Sequence, residues 1–186
     1  MKTKFLAIVA ILTIGFTSCK GEKKTENAEA AAETSVPAKN NFNVEVDAVV
    51  TKKDDFAIYY TEDGTDKFTP EQATWRGIAG TGAVEKVIFD LPEEIVPTLI
   101  RLDFGMNKEQ GDVVIHNVKI SYYQNSFEIK GSDFFNYFIK SEQFPTTVDP
   151  AKGTMTVLKA TKEFSTPYFY PRQELIDKLA TITAGK

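Results

Sequence analysis

Phe42-Asn43-Val44-Glu45-Val46-Asp47 alternates apolar and polar side chains with a period of two. Successive residues of a strand point to opposite faces, so Phe42, Val44 and Val46 share one face and Asn43, Glu45 and Asp47 the other. The pattern returns at Phe56/Ile58/Tyr60, Val87/Phe89/Leu91, Ile100/Leu102/Phe104 and Val114/Val118/Ile120/Tyr122. Between these runs lie the turn signals Asp63-Gly64, Gly80-Thr81-Gly82, Leu91-Pro92 and Gly105-Met106-Asn107. Several short alternating strands with such punctuation predict an all-β fold, an antiparallel β-sandwich.

Further along, Asp133–Ile139 is aromatic-rich and reads as a strand or a short helix, while Thr154–Leu158 reads as another strand. A short C-terminal helix is expected where Leu175, Ile176, Leu179 and Ile182 fall on one helical face, with Pro171 in its first turn. Ala184-Gly185-Lys186 is expected to fray.

The N-terminal end has a different character. Lys2 and Lys4 precede an apolar stretch, Phe5–Phe16, and small residues Thr17 and Ser18 precede Cys19, the order of a secretory signal. At about a dozen residues the apolar run is short for a membrane span, which needs about 20. Cys19 is the only cysteine of the 186 residues, so no intramolecular disulfide forms. From Lys20 to Asn40 the chain has no aromatic residue and too little apolar surface to offset its ordering entropy, so 20–40 reads as a flexible linker. Residues 41–186 are then one domain, long enough to bury a real core.

Removing Lys2 and Lys4 with the signal takes the formal net charge from −4 to −6. An acidic chain without clustered Lys and Arg argues against nucleic acid as a partner.

Two resemblances extend this reading. Phe16-Thr17-Ser18-Cys19 resembles the lipobox of bacterial lipoproteins, with Phe16 where Leu is usual. It implies a signal peptide over 1–18, lipidation of Cys19, and a mature protein of the bacterial cell envelope. That protein would be held to a membrane by its acyl chains, periplasmic or surface-exposed. Arg101-Leu102-Asp103-Phe104-Gly105-Met106-Asn107, followed by Gly111–Ile120, resembles the late strands of galactose-binding-like jelly rolls, as found in carbohydrate-binding modules. It implies a jelly-roll sandwich, and a glycan as ligand.

Strand parity directs Tyr59, Lys86, Arg101, Asp103, Asn117, Lys119 and Tyr123 outward if the alternate positions are core. Aromatic faces against sugar C–H surfaces, with Arg, Asp and Asn on the hydroxyls, make a glycan-binding set. The expected ligand-binding residues are Tyr59, Trp75, Arg76, Arg101, Asp103, Asn107, Asn117 and Tyr123. The bland readings are surface ion pairing for Arg101 and Asp103, β-propensity for the tyrosines, and a core position for the lone Trp75. His116, with the parity of Val114 and Val118, reads as a core histidine.

No cofactor and no metal site are expected. Glu62-Asp63-Gly64-Thr65-Asp66 lacks the ligand spacing and terminal Glu of an EF-hand loop. Structural calcium held by scattered loop oxygens, as in some jelly-roll modules, is the alternative this spacing leaves open. With no nucleophile elbow, HExxH helix or phosphate loop, a small polysaccharide-active enzyme ranks below two other readings. These are a glycan-binding lipoprotein and a structural or assembly lipoprotein whose partners are envelope proteins.

Overall fold

Val44, Val46 and Ala48, the apolar half of the opening alternation, are fully buried, and the strand that carries them lies inside a sheet rather than at its edge. The computed structural model describes residues 40–143, 146–157 and 166–184. The signal segment, Cys19, the linker through residue 39 and the expected fraying at Gly185 and Lys186 lie outside the described residues.

The first sheet contains β1 (Phe42–Val49), β4 (Val84–Asp90), β6 (Asp112–Tyr122), β7 (Asn125–Lys130), β9 (Thr146–Asp149) and β10 (Thr154–Val157). Its order is β4-β1-β6-β10-β9, and β7 pairs with the C-terminal half of the long β6. The second sheet has the order β3-β2-β5-β11-β8. Its strands are β2 (Asp54–Thr61), β3 (Ala73–Ile78), β5 (Leu99–Phe104), β8 (Phe138–Lys140) and β11 (Tyr168–Pro171). All pairings are antiparallel, and the two sheets pack as a β-sandwich around one apolar core.

Under the second sheet that core is aromatic. Phe104 meets Phe56 edge-on at 5.1 Å and Phe169 at 5.8 Å, and Phe134 stacks on Phe138 at 4.6 Å. Such rings contribute beyond their buried area through edge-to-face geometry. They form a stiff floor beneath the outer face.

Asp133–Ile139 satisfies both of its readings: a helical turn, α1 (Phe134–Tyr137), buries Phe134, and the chain extends at once into β8. The C-terminal helix α2 (Gln173–Thr183) buries Leu175, Leu179 and Ile182 as its periodicity predicts. Pro171 is displaced from the expected first turn. It closes β11 opposite Phe138, and Arg172 caps the helix.

The parity expected for β6 is corrected. Val113, Ile115, Val118 and Ile120 are buried, whereas Val114 is only half-buried and His116 is exposed. Asp47 pairs with Asn117 but Ala48 pairs with Ile115, so His116 is the extra residue of a β-bulge and inverts the alternation on its N-terminal side. Gly131 packs so closely against this bulge that a Cβ there would lie 1.8 Å from the Ile115 carbonyl oxygen. Only glycine allows that approach.

Candidate functional site

Among the described residues, the outer face of the second sheet carries a dense group of outward-pointing aromatic side chains. Cross-strand register assembles it. Trp75 pairs with Ala57, Ala57 with Asp103, and Asp103 with Tyr168, giving one row across β3, β2, β5 and β11. The adjacent row runs from Ala73 through Tyr59 to Arg101, with Tyr170 as the next outward residue of β11, opposite Ile139. Strands lie ~4.8 Å apart, so four of them make a surface roughly 14 Å wide. The small Ala57 and Ala73 let the large rings lean toward the centre.

Arg101 is that centre. Its Nε and Nη2 donate to the two carboxylate oxygens of Asp103, each at 2.8 Å. Its guanidinium carbon lies 4.0 Å from the ring centre of Tyr59, 4.5 Å from Tyr168 and 5.5 Å from Phe68. Contact with several ring faces at once suits a broad, weakly hydrated guanidinium better than an ammonium. Tyr59 in turn meets Trp75 edge-on at 6.2 Å. Phe68 lies 5.9 Å from Tyr170, and Tyr168 stands at a right angle to Tyr170 at 5.3 Å. The Tyr168 hydroxyl donates to Gln143 Oε1 at 2.8 Å. Trp75, 39% exposed, offers the most open aromatic surface of the group.

Burial sets the electrostatics here. It raises the Tyr59 and Tyr170 hydroxyls above the ordinary tyrosine range, helped by the Asp103 charge at Tyr59 and by the neighbouring Tyr168 at Tyr170, and opposed in both by Arg101. Burial also pushes the Asp103 carboxyl up, more strongly than the two hydrogen bonds and charge of Arg101 draw it down. For Arg101, burial works against the charge, but Asp103 and the surrounding tyrosines outweigh it and raise the value. The partners thus differ, with the carboxylate bearing the larger cost of leaving water. The two parallel hydrogen bonds hold the pair charged near neutral pH.

Of the residues expected from the sequence, Tyr59, Trp75, Arg101 and Asp103 come together on this face. The other four do not. Asn117 faces outward from the first sheet and accepts from Lys130 Nζ at 3.4 Å. Tyr123 sits in the β6–β7 turn with φ 53° and packs on Tyr122 at 4.8 Å. Strand parity does not apply to a left-handed turn residue. It borders a cavity of about 240 Å³ between that turn and the end of α2, away from Arg101. Arg76 has the opposite parity to Trp75 and donates from Nη1 to the Trp75 carbonyl at 2.9 Å. Asn107 is engaged elsewhere, donating to the Lys53 carbonyl in the β1–β2 connection and accepting from the Glu109 N–H of its own loop. Trp75 corrects the core reading, because β3 is an edge strand and the residue points to solvent.

Sequence reasoning missed Phe68, Tyr168 and Tyr170. The signal was present in Tyr168-Phe169-Tyr170, where the central ring is fully buried and its neighbours face outward. In the acidic loop, Asp63 Oδ1 accepts from the N–H and hydroxyl of Thr65, an Asx turn. Among the described residues no three His, Cys, Asp or Glu side chains gather into a metal-binding group.

The outer face of the first sheet differs throughout. Lys86 bridges Glu45 and Asp47, and Lys130 pairs with Glu128, a chequered and solvated surface. No protein-family model matches the chain, and neither does any curated protein or solved structure.

Proposed function

We propose that this chain is a lipid-anchored protein of the bacterial cell envelope whose sandwich binds a carbohydrate on the outer face of its second sheet. The observation that carries the reading is the continuous platform Trp75–Tyr59–Arg101–Tyr168–Tyr170 on a stiff aromatic floor. Sugars present C–H faces that pack on aromatic rings and hydroxyls that need nearby donors and acceptors. Both are offered here, by the rings and by the Tyr hydroxyls. A surface roughly 14 Å wide suits a stretch of polysaccharide chain better than a single small molecule.

A structural or assembly role, with an envelope protein on the same face, is the second reading. It is favoured by Ile139, 40% exposed beside Tyr170, which lends the platform an apolar margin.

Affinity electrophoresis of the full-length chain through gels containing different polysaccharides tests the proposal. Retardation by at least one polymer is expected. Trp75→Ala should abolish it, whereas Lys119→Ala, on the other sheet, should leave it unchanged. Retardation that survives Trp75→Ala would move the site off this face.

A further inference from the structure

We infer that the polysaccharide this face selects is electrically neutral, because the one cation at its centre is already neutralised from within the sheet. The inference rests on the glycan reading above and adds the ligand class.

Among the described residues, the outward positions of the five strands include one cation, Arg101, and two carboxylates, Asp55 and Asp103. Asp103 takes two of the guanidinium N–H groups, and its side chain is only 4% exposed. No ligand carboxylate can displace it without leaving it buried and unpaired. The rings of Tyr59 and Tyr168 lie with their centres 4.0 and 4.5 Å from the guanidinium carbon, so an approaching anion also meets two aromatic rings crowded against it. Asp55, exposed on β2, adds negative charge to the same face. A uronate or sulfate group would therefore meet a surface whose net formal charge is negative, on a chain whose net charge is −4. A neutral sugar needs no charge partner, only a face on which its C–H surface can pack, and the exposed indole of Trp75 supplies one. Binding should then be nearly independent of salt, since no ion pair forms.

The test titrates the full-length chain with a neutral panel (a β-glucan, a mannan, a galactan) and an anionic panel (a polyuronate, a sulfated galactan). Salt is set at about 50 and about 500 mM NaCl, which spans the range over which exposed charge interactions are screened. At least one neutral polymer should bind more tightly than every anionic one, with Kd changing less than about twofold between the two salts. Asp103→Asn, which leaves the guanidinium uncompensated, should raise affinity for the anionic panel by about tenfold at low salt and lose that gain at high salt. A tightest ligand that is anionic and weakened by salt would overturn the charge argument and leave the glycan reading standing. Failure of every polymer in both panels to bind would overturn both. Should Asp103→Asn not fold, the comparison of the two panels on the unmodified chain still decides, and a folded Asp103→Asn with no gain counts against the inference.

Discussion

Asp103 holds the Arg101 guanidinium by two parallel hydrogen bonds of 2.8 Å, made between residues two apart on one strand and facing the same way. Their side chains are 14% and 4% exposed. Arg101 is consequently as much a part of the scaffold as of the surface. Removing it strands a carboxylate away from water and opens the gap between Tyr59 and Tyr168. Arg101→Ala should therefore lower unfolding free energy by about 3 kcal/mol, the cost of breaking a buried pair from one side. The double replacement Arg101→Met with Asp103→Leu should recover most of that loss, since neither charge is then left alone. Urea unfolding of the two variants measures the difference.

The floor of the face makes a separate prediction. Phe104 is 1% exposed and meets Phe56, Phe134 and Phe169 edge-on at 5.1 to 5.8 Å. Phe104→Ala should cost about 3–5 kcal/mol through the cavity it leaves. Lys119→Ala, on the solvated face of the first sheet, should stay within about 0.5 kcal/mol of the unmodified chain. Equal losses in the two variants would contradict the packing described.

Asp54 ties the loop after β5 to the start of β2. Its Oδ1 accepts from the N–H groups of Asp55, Met106 and Asn107, and its Oδ2 from Gln110 Nε2. Gly105, at φ +95°, lets the chain turn here, and a Cβ on it would lie 2.5 Å from Asp54 Oδ2. Asp54→Ala leaves several backbone donors without their acceptor, at roughly 1–3 kcal/mol for each that stays buried. Amide exchange at Met106 and Asn107 should accelerate far more than at Val44, in the middle of β1.

Alkaline titration reads the environment of the platform. Tyr59, Tyr60 and Tyr170 are all raised above 10.0, chiefly by burial. A raised folded value means that the neutral phenol is the favoured form in the fold. Its contribution to stability is complete below 10.0 and is lost as pH rises through the folded values. Phenolate absorbance of these three tyrosines should thus develop above 10.0, and stability should fall as it develops. Tyr59→Phe should remove one tyrosine's share of that late absorbance.

The anchor is tested by acyl labelling. Cys19→Ser should abolish incorporation of labelled fatty acid, and the processed variant should leave the membrane without detergent. Continued labelling would end the lipoprotein reading.

The amino-acid sequence by itself determined β1, β2, β4, β5, β6 and β10, the turn signals beside them and the amphipathic stripe of α2. Side-chain alternation, turn chemistry and helical periodicity are local properties of the chain. It also carried the Arg101–Asp103 pairing in outline, because residues i and i+2 of a strand share a face. Only the tertiary structure decided that Tyr59 and Arg101 lie in one sheet and Asn117 in the other, and that Tyr168 closes over the guanidinium. Alternation sorts side chains into inward and outward sets, but two sheets have two outward faces. The choice between them is made by pairing strands far apart in sequence, as β5 pairs with β11. The same holds for the bulge at His116, where non-local packing of Gly131 and Gly153 against Ile115 overrides a period that local chemistry alone would continue.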